Sequence, residues 1–254
     1  MTKRLRMLAR ALVGVRRERT YYLPWIVRPG LECTLLLSNV EARFKEGFTR
    51  GPFPATVIQY DEHGRTVGRY DVSLRDPTDA VEVDLGDTPG CGFAAVVSDR
   101  INSDLYVTLS DGASYTATHG RHEFVEHYPP WTAAVLAATT TLLALVGRTL
   151  PAFARDQYVY VGPDSRSHVL VMNLSNVTNR VRVGLDGPDG ATRRMLLRLP
   201  PRGTHLLDVA RLADPASVTT AWRLRLEGNA WFNVYLVGAG ARDLDGPLSL
   251  MHVK

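Results

Sequence analysis

Val181-Arg182-Val183-Gly184-Leu185, the turn Asp186-Gly187-Pro188-Asp189-Gly190, and then Arg194-Met195-Leu196-Leu197-Arg198-Leu199 decide the fold of this chain. Val181, Val183 and Leu185 share one side of an extended backbone, because successive strand side chains point to opposite faces. Met195, Leu197 and Leu199 do the same in the second run. The intervening Asp, Gly and Pro supply turn conformations that the flanking residues resist. This is a hairpin with one buried face, the mark of an antiparallel sheet.

The pattern extends in both directions. Downstream, Trp222, Leu224 and Leu226 alternate with Arg223, Arg225 and Glu227, which places Trp222 in the core. Upstream, apolar runs over 32–40 and 55–60, the turn Asp61-Glu62-His63-Gly64, and runs over 67–74, 81–85, 93–97 and 105–109 follow at short, regular spacing with no helix between them. Many short strands at such spacing predict a sandwich or jelly roll.

Several words occur twice. Ala11-Leu12-Val13-Gly14 recurs as Ala144-Leu145-Val146-Gly147, Leu37-Ser38-Asn39-Val40 as Leu174-Ser175-Asn176-Val177, and Asp111-Gly112 before His119 as Asp245-Gly246 before His252. Their near-constant offset exceeds the period of solenoid repeats and predicts two tandem copies of one domain. The expected fold is all-β: two related antiparallel sandwiches, each preceded by a short helix. The expected organisation is a basic amphipathic helix over 1–19, a first sandwich over 20–127, an apolar helical linker over 128–155 and a second sandwich over 156–254. A fused pair of this kind predicts pseudo-twofold symmetry, or a homo-oligomer.

With 254 residues, 45% hydrophobic and 22% charged, the chain suffices for two ordinary domains and is not of disordered composition. The net charge of +4 is carried by Arg, with Lys3, Lys45 and Lys254 the only lysines. Arg alternates with acids and no nucleic-acid-binding motif is present, which argues against a nucleic-acid partner. Cys33 and Cys91 form neither a metal motif nor a disulfide framework and read as buried residues of a reducing, cytoplasmic protein. Leu5, Leu8, Leu12 and Val15 among arginines, and the uncharged stretch 128–147, raise peripheral association with a membrane surface.

The second copy, 169–254, resembles the sensory rhodopsin transducer family of small β-sandwich proteins, and through the repeat so does 33–119. The resemblance rests on a strand ending in Asn173, on Leu199-Pro200-Pro201-Arg202-Gly203-Thr204-His205-Leu206-Leu207-Asp208, on Asp214-Pro215, and on Gly246-Pro247-Leu248-Ser249-Leu250-Met251-His252. It implies an oligomeric, non-catalytic binding or signalling protein, and no functional residue is carried over from it.

No catalytic motif is complete: there is neither a Gly-x-Ser-x-Gly elbow nor a phosphate-binding loop. His119, His122 and His127, interleaved with Glu123 and Glu126, are the candidate divalent-metal ligands, since imidazole and carboxylate suit zinc, iron or manganese. The candidate ligand-binding residues are Ser38, Asn39, Ser175 and Asn176 at strand ends, His119 and His252 at matching edges, and Trp231, which cannot share a strand face with Phe232. The expected function is a non-catalytic binding or adaptor protein for a protein partner or small ligand, needing no cofactor. The alternatives are a metal-dependent or carbohydrate-active enzyme using 119–127, and a membrane-peripheral scaffold.

Overall fold

A computed structural model describes residues 14–44, 51–86, 89–120, 122–163, 166–188, 190–213, 220–240, 244 and 248–253. The first half contains β1 (Arg16–Val27), β2 (Glu32–Ser38), β3 (Phe53–Tyr60), β4 (Thr66–Leu74), β5 (Ala80–Asp84), β6 (Gly90–Val97), β7 (Leu105–Ser110), β8 (Tyr115–Gly120) and β9 (His122–His127). Helix α1 (Pro130–Leu145) leads to the second half. There β10 (Phe153–Val161), β11 (Arg166–Asn173), β12 (Asn179–Asp186) and β13 (Thr192–Leu199) precede β14 (Thr204–Asp208), β15 (Thr220–Gly228), β16 (Phe232–Ala239) and β17 (Ser249–Val253).

These strands form four antiparallel sheets. Sheet I has the order β4-β3-β6-β1-β9 and sheet II the order β5-β2-β7-β8; sheet III is β14-β11-β16-β17 and sheet IV is β10-β15-β12-β13. Counted from β10, sheet IV repeats the order of the first four strands of sheet I, and sheet III repeats that of sheet II. The two halves therefore share one topology, with β9 an addition to the first. The turns agree as well. Asp61 N donates to Arg65 O and Gly187 N to Ala191 O, with Gly64 (φ 76°) and Gly190 (φ 80°) in the left-handed region at matching places.

The opening hairpin of the sequence forms as read: β12 pairs with β13, and Val181, Val183, Leu185, Leu197 and Leu199 enter the core. The halves are not separate beads. Along β11, Val169 and Val171 face the second half's own core, whereas Leu170 and Met172 join the core of the first. The outer face of sheet I supplies Tyr22, Tyr60 and Phe93 opposite Leu174 and Arg202. Sheet I thus packs on sheet III, although its topological counterpart is sheet IV. That contact is heterologous, unlike the isologous contact of the pseudo-twofold pair expected above.

Two expectations about helices change. Arg16–Arg19 belong to β1 and pair with 124–127 of β9, so the amphipathic helix does not reach residue 19; residues 1–13 lie outside the described part. The helix preceding the second half is present but occupies only Pro130–Leu145 of the 128–155 linker, and β10 begins at Phe153. It ends in a glycine cap. Arg148 N donates to Leu143 O and Gly147 N to Ala144 O, with Gly147 at φ 68°. Gly14, which closes the matching Ala-Leu-Val-Gly word, has φ 67°.

Candidate functional site

The halves enclose a cleft of ≈ 250 Å³ at their junction, lined by His119, Glu123, Arg155, Trp231, Asn233 and His252. Three of these, His119, His252 and Trp231, are candidates read from the sequence. They meet because β8 and β17, the matching outer strands of sheets II and III, run beside each other; Leu250 N donates to Thr116 Oγ1 at 3.1 Å. Gly120 lets the chain leave β8 and join sheet I as β9, since a Cβ there would stand 2.7 Å from Leu23 Cγ. Glu123 is carried into the cleft on β9.

His252 is held on two sides. Its ring stacks on Tyr235 with centroids 4.8 Å apart, and Nε2 lies 2.8 Å from Asn233 Oδ1. That oxygen can only accept, so Nε2 carries the proton. Glu123 Oε1 lies 3.8 Å from the same nitrogen. Tyr235 is buried, and desolvation, followed by the Glu123 carboxylate, pushes its phenol well above the usual range; it remains a neutral hydroxyl. Trp231 packs edge-on against Phe153 and has the guanidinium of Arg155 5.0 Å and that of Arg17 5.6 Å from its ring centre. Burial lowers the proton affinity of Arg155, and Glu123 partly restores it.

Three N–H groups here have no partner: Arg155 Nε, Trp231 Nε1 and Asn233 Nδ2, each shielded from solvent. The spacing of Arg155 and Asn233 gave no sequence signal, because each lies in a strand whose alternation already accounts for it. Among the described residues the cleft lining contains no hydroxyl or thiol. Its chemistry is donation of hydrogen bonds, with the Glu123 carboxylate beside His252 as an acceptor.

The other candidates lie elsewhere. Asn39 is fully buried and receives bonds from Asn102 N and Ser103 Oγ while donating to Arg100 O; Ser38 ends β2 opposite Ala80. Ser175 Oγ donates to Asn173 Oδ1, and Asn176 exchanges two bonds with the backbone of Tyr128. Asn39, Ser175 and Asn176 hold loops, and none of the four lines the cleft. Nor do the three metal candidates converge. His122 packs against Tyr21 with ring centres 3.9 Å apart and planes tilted by 34°, His127 pairs with Glu18 (3.0 Å), and the two point from opposite faces of β9 about 17 Å apart along the strand. Among the described residues no three His, Cys, Asp or Glu side chains are grouped as ligands.

No family model matches this chain. No curated protein matches it either. Among solved structures, it is similar to the crystal structure of Thermotoga maritima 1070, at 16% identity and TM-score 0.33, over 41% of this chain and 95% of that one. It is also similar to a glycosyl hydrolase family 2 member from Bacteroides cellulosilyticus DSM 14838 (12% identity, TM-score 0.18, 92% of this chain and 28% of that one). A Bacteroides uniformis beta-glucuronidase gives 12% identity and TM-score 0.17, over 92% of this chain and 26% of that one. The chain thus spans about a quarter of those hydrolases' length. At such scores the neighbours carry no argument about function.

Proposed function

We propose that this chain is a non-catalytic binding protein whose ligand site is the junction cleft. One observation carries the reading: β8, β9, β10, β16 with the residue before it, and β17 bring polar side chains from both halves to one concave surface that neither half forms alone. The resemblance of 169–254 to a family of binding and signalling sandwiches points the same way. The test is a fragment screen on the uniformly ¹⁵N-labelled protein. Bound compounds are expected to shift the amides of His119, Asn233 and His252. Compounds that shift only residues remote from the junction, or a screen with no binders at all, would refute the reading.

A second reading, docking at an anionic membrane surface, is favoured by α1. Its buried residues are Thr132 and Thr140, while Trp131 (58% exposed), Val135, Ala138, Leu142 (66%) and Leu145 (78%) form an outward stripe. Arg180 and Arg182 flank it, donating to Thr141 Oγ1 and Gly147 O. No helix among the described residues is long and apolar enough to cross a membrane, and this one would lie in the interface plane. Co-sedimentation of the intact protein with phosphatidylserine-containing vesicles, weakened by Leu142→Ser, is the expected result. Absence of binding, or equal binding to pure phosphatidylcholine, removes it.

A further inference from the structure

The unpartnered donors of the cleft say what kind of ligand it takes, granted the binding role proposed above. Trp231 Nε1 and Asn233 Nδ2 come from alternate residues at the start of β16, and Arg155 Nε is brought beside them from β10. Asn233 is 1% exposed, and its Oδ1 is already used by Val234 N and His252 Nε2. A buried donor left unmade is destabilising. Three together mark a place where an acceptor belongs.

We propose that the cleft binds the carboxylate of a small organic acid. Guanidinium and indole nitrogens donate and never accept, which excludes metal cations and ammonium groups as the species they face. A carboxylate has acceptor sites enough for all three donors and gains charge assistance from Arg155. Glu123 lines the same cleft, so the anion must be one that a single guanidinium balances. A monoanion meets that condition better than a phosphate dianion. The organic part lies against Val253 and the edge of Trp231.

The experiment titrates the full-length, ¹⁵N-labelled protein with benzoate and, separately, with neutral benzyl alcohol, following the indole N–H resonance of Trp231, assigned by its loss in Trp231→Phe. Benzoate is expected to move that resonance downfield and benzyl alcohol to leave it in place. Arg155→Gln is expected to weaken benzoate about tenfold, which corresponds to ~1.4 kcal/mol. Asn233→Asp, which replaces the donor by a charged acceptor, is expected to abolish binding; should it not fold, Trp231→Phe, which keeps an aromatic ring and deletes the N–H, is expected to weaken benzoate severalfold as followed by the backbone amides of His119 and His252. Equal binding of benzoate and benzyl alcohol overturns the carboxylate assignment while leaving the cleft a ligand site. No shift with either compound overturns the carboxylate assignment, and the binding role itself falls only if the fragment screen is also silent at the junction.

Discussion

Asn39 and Asn173 hold the same position in the two halves. Leu36 faces Tyr106, which faces His119 across the next ladder; Leu170 faces Tyr235, which faces His252. Three residues beyond each leucine stands a fully buried asparagine. Asn173 donates to Val177 O and Pro200 O and accepts from Ser175 Oγ. Asn39→Ala and Asn173→Ala are each expected to lower stability by about 1–3 kcal/mol in urea unfolding, the range for stranding buried partners. Binding at the cleft should be unchanged in whatever fraction remains folded.

Glu126 is fully buried at the junction, where Arg17 Nη2 approaches Oε1 to 3.0 Å and the Tyr128 hydroxyl donates to Oε2 at 2.8 Å. Its backbone bridges to Ser175 of the second half. Arg17→Met removes the cation beside a buried carboxylate. We expect a loss of about 2–4 kcal/mol, at or below the range for broken buried pairs because Arg17 is one-third exposed. Pairing it with Glu126→Gln should recover part of that loss, as a double-mutant cycle in guanidinium chloride would measure.

Gly120→Ala places a methyl group 2.7 Å from Leu23 Cγ, where β8 hands over to β9. Overpacking of this kind typically destabilises by about 1–3 kcal/mol. A compensating Leu23→Ala should restore some of it. Additive losses in thermal melts would contradict the steric account.

Cys33 and Cys91 are buried and free, and desolvation pushes their thiols up to about 12 and about 11. The reactive thiolate is therefore absent from the folded protein at neutral pH. Iodoacetamide at pH 8 should label neither residue, and both should react on addition of denaturant. Rapid labelling of the native protein would show that sheets I and II open.

Asp156 accepts from Arg223 Nε at 2.9 Å, and that hydrogen bond holds its carboxyl below the usual range. A depressed carboxylate contributes stability that is present above the unfolded value of about 3.9 and is lost as pH falls through the folded one. The pair is solvent-exposed, so the contribution is small and screened by salt. Asp156→Asn should lower the melting temperature slightly at pH 7 in dilute buffer, with the difference lost as pH falls through the lowered folded value or in molar salt.

Most strands were legible because period-two patterning is local. Val181 to Leu199 needed only alternation and a turn. The word Leu-Ser-Asn-Val matched correctly as a word and wrongly as a position: it equated Asn39 with Asn176, whereas the ladders equate it with Asn173. A one-letter match ignores which residue faces which across a sheet, and only the partner strands settle that. The histidine match did hold, since His119 and His252 sit opposite corresponding tyrosines. The arginine-studded segment at the start carried helical spacing through Val15, yet β9 offers Arg16–Arg19 a ladder to complete, and pairing overrides local preference.

By itself the sequence determined the all-β class, the hairpins and the inward faces of the strands, since each follows from side-chain alternation within a few residues. Tertiary structure alone decided that sheet I packs on sheet III, and that Arg155 from one strand and Trp231 and Asn233 from the start of another line one cleft with His119 of the first half. Those outcomes depend on contacts between segments roughly a hundred residues apart, and no local pattern encodes where two buried faces will meet.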